Sequence, residues 1–161
     1  MEKILFLSPY ILSAIISSWI TLYAWRHREV QGAEFYAAYA ASQSLWTFGY
    51  VLELLSPNIE LKIFWDSLQW VSGLAITIIF PVFAVRYAKI EIPREKLLLK
   101  LLFLAPSFFL AALLTDKYHH LYYPNPYLKN TLPFAELSYN FTWIVYIHAI
   151  YIYIVSFTGV G

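Results

Sequence analysis

Five long apolar runs, separated by short polar or proline-containing segments, dominate this chain of 161 residues. A membrane-spanning helix needs roughly 20 mostly apolar residues, and the runs cover residues 4–25, 33–55, 64–88, 97–115 and 137–158. Breaks fall at Ser56-Pro57-Asn58, at Pro93 and at the segment from 115 to 133. The sequence therefore predicts an all-α, polytopic membrane helix bundle of about five transmembrane helices, located as a multi-pass protein in the cell membrane.

The composition indicates that the lipid bilayer is a partner of this chain, and it excludes several classes of binding site. The chain is 60% hydrophobic and 13% charged, whereas soluble domains are about 45–50% apolar and about 25% charged. It has no Cys, which excludes disulfides, Cys-ligated zinc and iron–sulfur clusters. Basic residues form only short groups beside the apolar runs, so no nucleic-acid partner is expected.

The distribution of Lys and Arg predicts the orientation of the bundle, because basic residues concentrate on the cytoplasmic side. One side holds seven of them, namely Arg26, Arg28, Arg86, Lys89, Arg94, Lys96 and Lys100. The other side holds four, namely Lys3, Lys62, Lys117 and Lys129. We expect the N-terminus outside and the C-terminus in the cytoplasm.

Polar side chains inside spans are costly, so each is a candidate functional residue. Glu53, Asp66 and Gln69 fall in the outer half of the predicted bundle, and His148 lies deeper in the fifth run. These residues predict an outward-facing ligand pocket with aromatic walls. Its remaining members are the aromatic residues Trp65, Trp70 and Trp143, several tyrosines, and the loop histidines His119 and His120.

Each of these polar residues also has a structural alternative. Glu53 is then an interfacial acid whose side chain snorkels to water, and Asp66 is an acid in the first turn of its helix. Gln69 and His148 are then hydrogen-bonding links between helices. For the loop histidines, fastening the loop and contacting a ligand are left equally open.

His119 and His120 are a weak metal motif, because adjacent side chains point apart, no His-x-x-x-His or His-Glu-x-x-His spacing occurs, and no carboxylate other than Asp116 lies at ligand spacing. No nucleophile-elbow serine and no phosphate-binding glycine pattern occurs either. The sequence therefore predicts no catalytic residue, no metal and no cofactor.

Several short motifs follow one another along nearly the whole chain. They are LYAWR at 22–26, LWTFGYVLE at 45–53, KIFW at 62–65, LAP at 104–106, TDKYHHLY at 115–122, and Trp143 with His148 and Tyr151. In this order they resemble the N-terminal seven-transmembrane region of membrane histidine kinases, and TDKYHHLY is the most specific among them.

The resemblance implies a sensory input module that relays a helix shift to a cytoplasmic output domain. A small-molecule or lipid ligand would bind in the outer half, and Pro81 and Pro106 are candidate bending points. A homodimer is expected by analogy. Five runs instead of seven imply a single, incomplete input domain over 1–161, and the chain lacks the phospho-acceptor and ATP-binding motifs of a kinase.

Two other classes of protein stay open at the level of sequence. One is a haem- or metal-binding membrane protein, with His148 and a loop histidine as ligands. The other is a structural or transport subunit of a membrane complex, assembled through faces rich in Ala and Ser.

Overall fold

The computed structural model describes residues 1–89, 91 and 94–158, and these residues are mostly helical. The elements are α1 Glu2–Arg26, α2 Ala33–Leu55, α3 Ile59–Ala88, α4 Glu95–Leu114, α5 Asp116–His119, β1 Tyr127–Asn130, β2 Ala135–Ser138 and α6 Trp143–Thr158. Pro93, which was expected to separate the third and fourth spans, lies outside the described residues, as do 159–161.

The predicted membrane helix bundle is confirmed. Within the described ranges, α1, α3 and α4 contain segments long and apolar enough to cross a membrane, and α6 is apolar but shorter. Helix α2 has 23 residues and packs against both α1 and α3. Many large apolar side chains remain exposed on α1, which suits contact with lipid.

Helix α3 begins five residues earlier than predicted, at Ile59 instead of 64. Asn58 is its N-cap, and the Asn58 side chain accepts a hydrogen bond of 3.0 Å from the backbone N–H of Leu61. Hydropathy alone missed this start because the first turns contain Glu60 and Lys62. Asp66 is therefore not a first-turn acid, and that alternative is wrong.

The predicted start of the last span, at 137, is also wrong. Helix α6 begins at Trp143, and the residues before it form a hairpin in which β1 and β2 pair antiparallel, with Tyr127 opposite Ser138 and Asn130 opposite Ala135. This small sheet adds to an otherwise all-α fold. Hydropathy could not reveal it, because backbone pairing between two four-residue strands leaves no long apolar pattern.

The hairpin lies at the same end of the bundle as the N-terminus. The ring of Phe134 is 5.8 Å from that of Phe6, and the Lys3 ammonium is 5.4 Å from the Phe134 ring. At the opposite end, the side chain of Gln31 donates a 2.7 Å hydrogen bond to the Arg86 carbonyl. The end with the hairpin and the loop after α4 is called the hairpin end below.

Candidate functional site

A single carboxylate oxygen on α3 gathers three hydrogen bonds at the hairpin end. Asp66 Oδ2 accepts from the Tyr123 hydroxyl at 2.8 Å, the Tyr139 hydroxyl at 2.8 Å and the Trp70 indole N–H at 3.1 Å. Tyr123 precedes the hairpin, and Tyr139 directly follows β2. These four residues, the Asp66 network, therefore join α3 to the segments on both sides of the hairpin.

The two tyrosines of the network are un-ionised donors. Burial, followed by the nearby Asp66 carboxylate, raises the pKa of Tyr123 and Tyr139 well above the ordinary value. The Tyr123 hydroxyl also lies 3.0 Å from the Ser67 hydroxyl. Phenols that keep their protons can hold Asp66 without placing further negative charge beside it.

Asp116 orders the loop that delivers Tyr123 to the network. Its buried carboxylate accepts hydrogen bonds from the backbone N–H groups of Tyr122 at 2.6 Å and Tyr123 at 3.3 Å. The loop turns at His120, whose φ of 51° is in the left-handed region. The carboxylate thus satisfies two buried donors where the backbone has left the helix.

The two loop histidines differ in their surroundings. The His119 ring bonds within its own loop, with Nε2 3.1 Å from the Thr115 hydroxyl and Nδ1 accepting from the Leu121 N–H at 3.2 Å. His120 is exposed and is the C-cap of α5. His119 has the contacts of a loop fastener, and ligand contact by either ring stays a prediction.

His148 is fully buried and meets the loop through Tyr122. The Tyr122 hydroxyl lies 3.0 Å from His148 Nδ1, and both residues are 0% exposed. The imidazole stacks on Phe109 of α4 at 4.4 Å and lies 5.0 Å from the Trp70 ring. Its Nε2 has no hydrogen-bond partner within the described part of the chain. His148 therefore connects α6 with the loop, α3 and α4, as a helix-linking residue would.

Glu53 is buried and paired across helices, so the prediction that it snorkels to water is wrong. Its Oε2 accepts a 2.8 Å hydrogen bond from Gln69 Nε2, which joins α2 to α3. Lys62 is only 1% exposed, and its ammonium donates to the Glu53 backbone carbonyl at 2.6 Å. Hydropathy identifies Lys62 only as an outer basic residue, because it places the start of α3 after this residue.

Two of the aromatic walls predicted from sequence, Trp65 and Trp143, differ in their surroundings. Trp65 is half-buried and lies edge-on to Phe64 at 4.9 Å, and its carbonyl is 3.4 Å from Gln69 Nε2. Trp143 is the first residue of α6 and is 59% exposed. The hydroxyls of Tyr123 and Tyr139 contact Asp66 directly, and the outward ligand pocket stays a prediction.

Sequence reasoning missed several members of this region, namely Asp116, Tyr122, Tyr123 and Tyr139. Tyrosine is favoured at membrane interfaces as well as in buried hydrogen bonds, so its residue type did not single out these positions. A usable signal was the spacing of Asp116, six residues before Tyr122, across a turn.

Among the described residues, no group of three or more His, Asp or Glu side chains is arranged to hold a metal ion. In addition, both ring nitrogens of His119 and one of His148 already have protein partners. This geometry gives a metal site built from three or more such side chains no support among the described residues.

The fold and the site define a helical membrane protein whose buried polar side chains link its helices and loops. The family model described as the N-terminal 7TM region of histidine kinase matches residues 9–161, so the chain belongs to that family. Comparisons with curated proteins and with solved structures gave no match. The resemblance noted in the sequence is confirmed, and the chain is a membrane sensory input region of the kind found in histidine kinases.

Proposed function

We propose that this input region senses a signal at the hairpin end and relays it along α3 to a cytoplasmic output domain. The observation that carries the proposal is the convergence of Tyr123, Tyr139 and Trp70 on one oxygen of Asp66. A movement of the hairpin or its flanking segments must stretch or break these bonds. The Asp66 network is therefore the contact through which loop and helix influence each other.

The proposed orientation places the hairpin end, with the N-terminus, outside the cell. The opposite end of the bundle and the C-terminus then lie in the cytoplasm. Seven of the basic residues flank the opposite end of the bundle, which supports a cytoplasmic position for it. Tyrosines concentrated near the hairpin suit a membrane–water interface. In this orientation the protein is a multi-pass protein of the cell membrane.

Helix α3 is suited to the relay because it runs through the whole bundle. Its 30 residues correspond to about 45 Å at 1.5 Å per residue. Pro81 lies inside α3 and Pro106 inside α4. Because each proline removes one backbone hydrogen bond, the helix bends more easily at that position. A ligand shifts such an equilibrium only by its differential affinity for the two arrangements.

The pocket proposed for the ligand includes Glu53, Trp65, Asp66, Gln69, His119, His120, Trp143 and His148. Because Tyr123 and Tyr139 contact Asp66 directly, an occupant that reaches this carboxylate would have to displace one of them, and that displacement would itself disturb the Asp66 network. Alanine variants at Glu53, His119, His120 and His148 test the pocket through ligand-dependent output. Four variants that respond like the parent would remove this pocket and leave the network proposal in place.

The network itself is tested by fusing the chain to the catalytic core of a histidine kinase and measuring basal autophosphorylation. Tyr139→Phe, Tyr123→Phe and Asp66→Asn each weaken a hydrogen bond to a carboxylate, an interaction of about 1.5–3 kcal/mol. A bias of that size between two arrangements changes their ratio by about tenfold or more. We expect a several-fold change in basal output in all three variants.

The matched control is Tyr118→Phe, which removes a hydroxyl from a tyrosine that is 75% exposed in the same loop. Its output should equal that of the parent. If the three network variants also equal the parent while remaining folded in the membrane, the proposed relay is wrong. Crosslinking between copies in the same membranes tests the homodimer expected for this class.

A further inference from the structure

A cavity of about 370 Å³ lies between α1 and α2, and none of the residues assigned to the pocket above lines it. Its lining consists of Tyr10 from α1 and of Gln43, Trp46, Thr47 and Tyr50 from α2. The volume is at the lower end of the roughly 300–1,000 Å³ typical of small-molecule sites. These five residues are called the α1–α2 cavity.

Gln43 gives this cavity an under-used hydrogen-bonding group. In the described chain its amide makes one long hydrogen bond, 3.4 Å from Nε2 to the Tyr39 hydroxyl. Gln43 lies twelve residues before the end of α2 at Leu55, or about 18 Å along the helix. An amide at that depth is costly unless it is paired, so the site favours an occupant that hydrogen-bonds.

The aromatic walls of the cavity are held in place by the helices behind them. Tyr10 and Tyr50 meet edge-on with ring centroids 5.0 Å apart. Trp46 lies directly on α3 at Gly73, where an added Cβ would come within 2.7 Å of the indole Cζ3. Gly73 thus lets Trp46 pack closely against α3. An occupant that contacts Trp46 would therefore act through it on α3, the helix of the proposed relay.

The lining contains no formal charge. It offers an amide, the hydroxyl of Thr47, which donates to the Gln43 backbone carbonyl at 3.0 Å, and two phenols. Two acids, Glu53 and Glu136, lie close enough to Tyr50 to interact with it electrostatically without lining the cavity, and Glu53 is already held by Gln69. An ion brought into this site would have no counter-charge among the lining residues, and desolvation would disfavour it.

We propose that the α1–α2 cavity binds a small uncharged molecule with a flat ring and a carbonyl or hydroxyl group. The ring packs between Tyr10, Trp46 and Tyr50, and its polar group pairs with the Gln43 amide. Binding itself is independent of signalling, and only its effect on output rests on the proposed function.

Binding is tested on the chain in lipid nanodiscs, labelled with fluorotryptophan and titrated with naphthol as the neutral ring probe. Fluorine NMR follows the Trp46 signal, which is assigned by its loss in Trp46→Phe. Trp19, which is 66% exposed on α1, reports partitioning of naphthol into lipid. We expect a saturable shift at Trp46 and a linear, non-saturating change at Trp19.

Gln43→Leu keeps the volume of the side chain and removes its amide. We expect it to weaken naphthol binding by about five- to tenfold, the effect of one lost hydrogen bond. Ser42→Ala is the matched control, because the Ser42 hydroxyl bonds to the Ala38 carbonyl on the same helix and does not line the cavity. It should bind like the parent.

The proposal would be overturned if the fluorine signal of Trp46 changed linearly with naphthol concentration, as that of Trp19 does, without reaching saturation. Unchanged naphthol binding in Gln43→Leu would also overturn it. Equal competition by naphthoate or a naphthyl trimethylammonium ion would overturn the uncharged class. The measurement needs no kinase, so its failure is distinguishable from failure of the Asp66 network variants. If naphthol binds to the α1–α2 cavity but the Asp66 network variants leave kinase output unchanged, only the proposed relay is overturned.

Discussion

Replacing Asp116 by Ala gives the sharpest test of how the loop after α4 is held. The substitution removes the acceptor for two buried backbone donors, at 2.6 Å for Tyr122 and 3.3 Å for Tyr123. A hydrogen bond to a charged group contributes about 1.5–3 kcal/mol, and the longer bond counts for less. The loop should therefore lose about 2–4 kcal/mol of local stability.

Hydrogen–deuterium exchange of the loop peptide measures this loss, because its amides exchange through local opening. A change of 1.4 kcal/mol is tenfold in an equilibrium constant, so exchange should accelerate by about 30- to 700-fold. Asp116→Asn keeps an acceptor oxygen without the charge and should fall between parent and Ala variant.

Lys117→Ala is the control, since Lys117 is the exposed neighbour of Asp116 in the same short helix. Its exchange should match that of the parent. If the Ala variant at 116 also exchanges within about threefold of the parent, Asp116 does not order the loop and the structural account of the site fails.

Three further predictions concern stability. The phenols of Tyr123 and Tyr139 should stay un-ionised while the protein is folded, because burial and a neighbouring carboxylate raise their pKa. Their contribution to the free energy of unfolding is then constant below the ordinary tyrosine pKa of about 10 and is lost as pH rises above it. Phenolate absorbance, which reports ionisation, and circular dichroism, which reports helix content, measure this loss together. Lys62→Met should destabilise the bundle by about 1–3 kcal/mol, because a buried carbonyl loses its donor, and thermal unfolding in detergent checks this; an unchanged midpoint would contradict it. Gly73→Ala should cost about 1–3 kcal/mol through its clash with Trp46, and much of that loss should disappear when Trp46 is also replaced by Ala, a double-mutant cycle that fails if the two effects simply add.

The relation between Asp66 and its partners illustrates why the site could be anticipated only in part. The sequence singled out Asp66, Glu53, Gln69 and His148 because polar groups in apolar runs are rare and costly. It also suggested that Gln69 and His148 link helices, and their contacts with Glu53 and with Tyr122 have that form. The partners that complete these contacts carried no comparable signal.

Tyr123 and Tyr139 explain the largest gap between prediction and structure. They are 57 and 73 residues from Asp66 along the chain, and nothing in a single sequence encodes such pairings. Tyrosine is favoured both at membrane interfaces and in buried hydrogen bonds, so its residue type does not distinguish the two. The structure places both hydroxyls on Asp66, one of the residues of the predicted pocket.

The sequence by itself determined that the chain forms long apolar helices, where most of them lie and which residues are too polar for lipid. These properties depend on hydropathy and on local punctuation by Pro, Asn and charged residues, which act within a few turns of helix. Only the tertiary structure decided that the residues after Pro126 form a hairpin, that Lys62 is buried, and that three donors converge on Asp66. Those outcomes depend on which distant segments pack together, and packing is set by shape and hydrogen-bond satisfaction over the whole bundle.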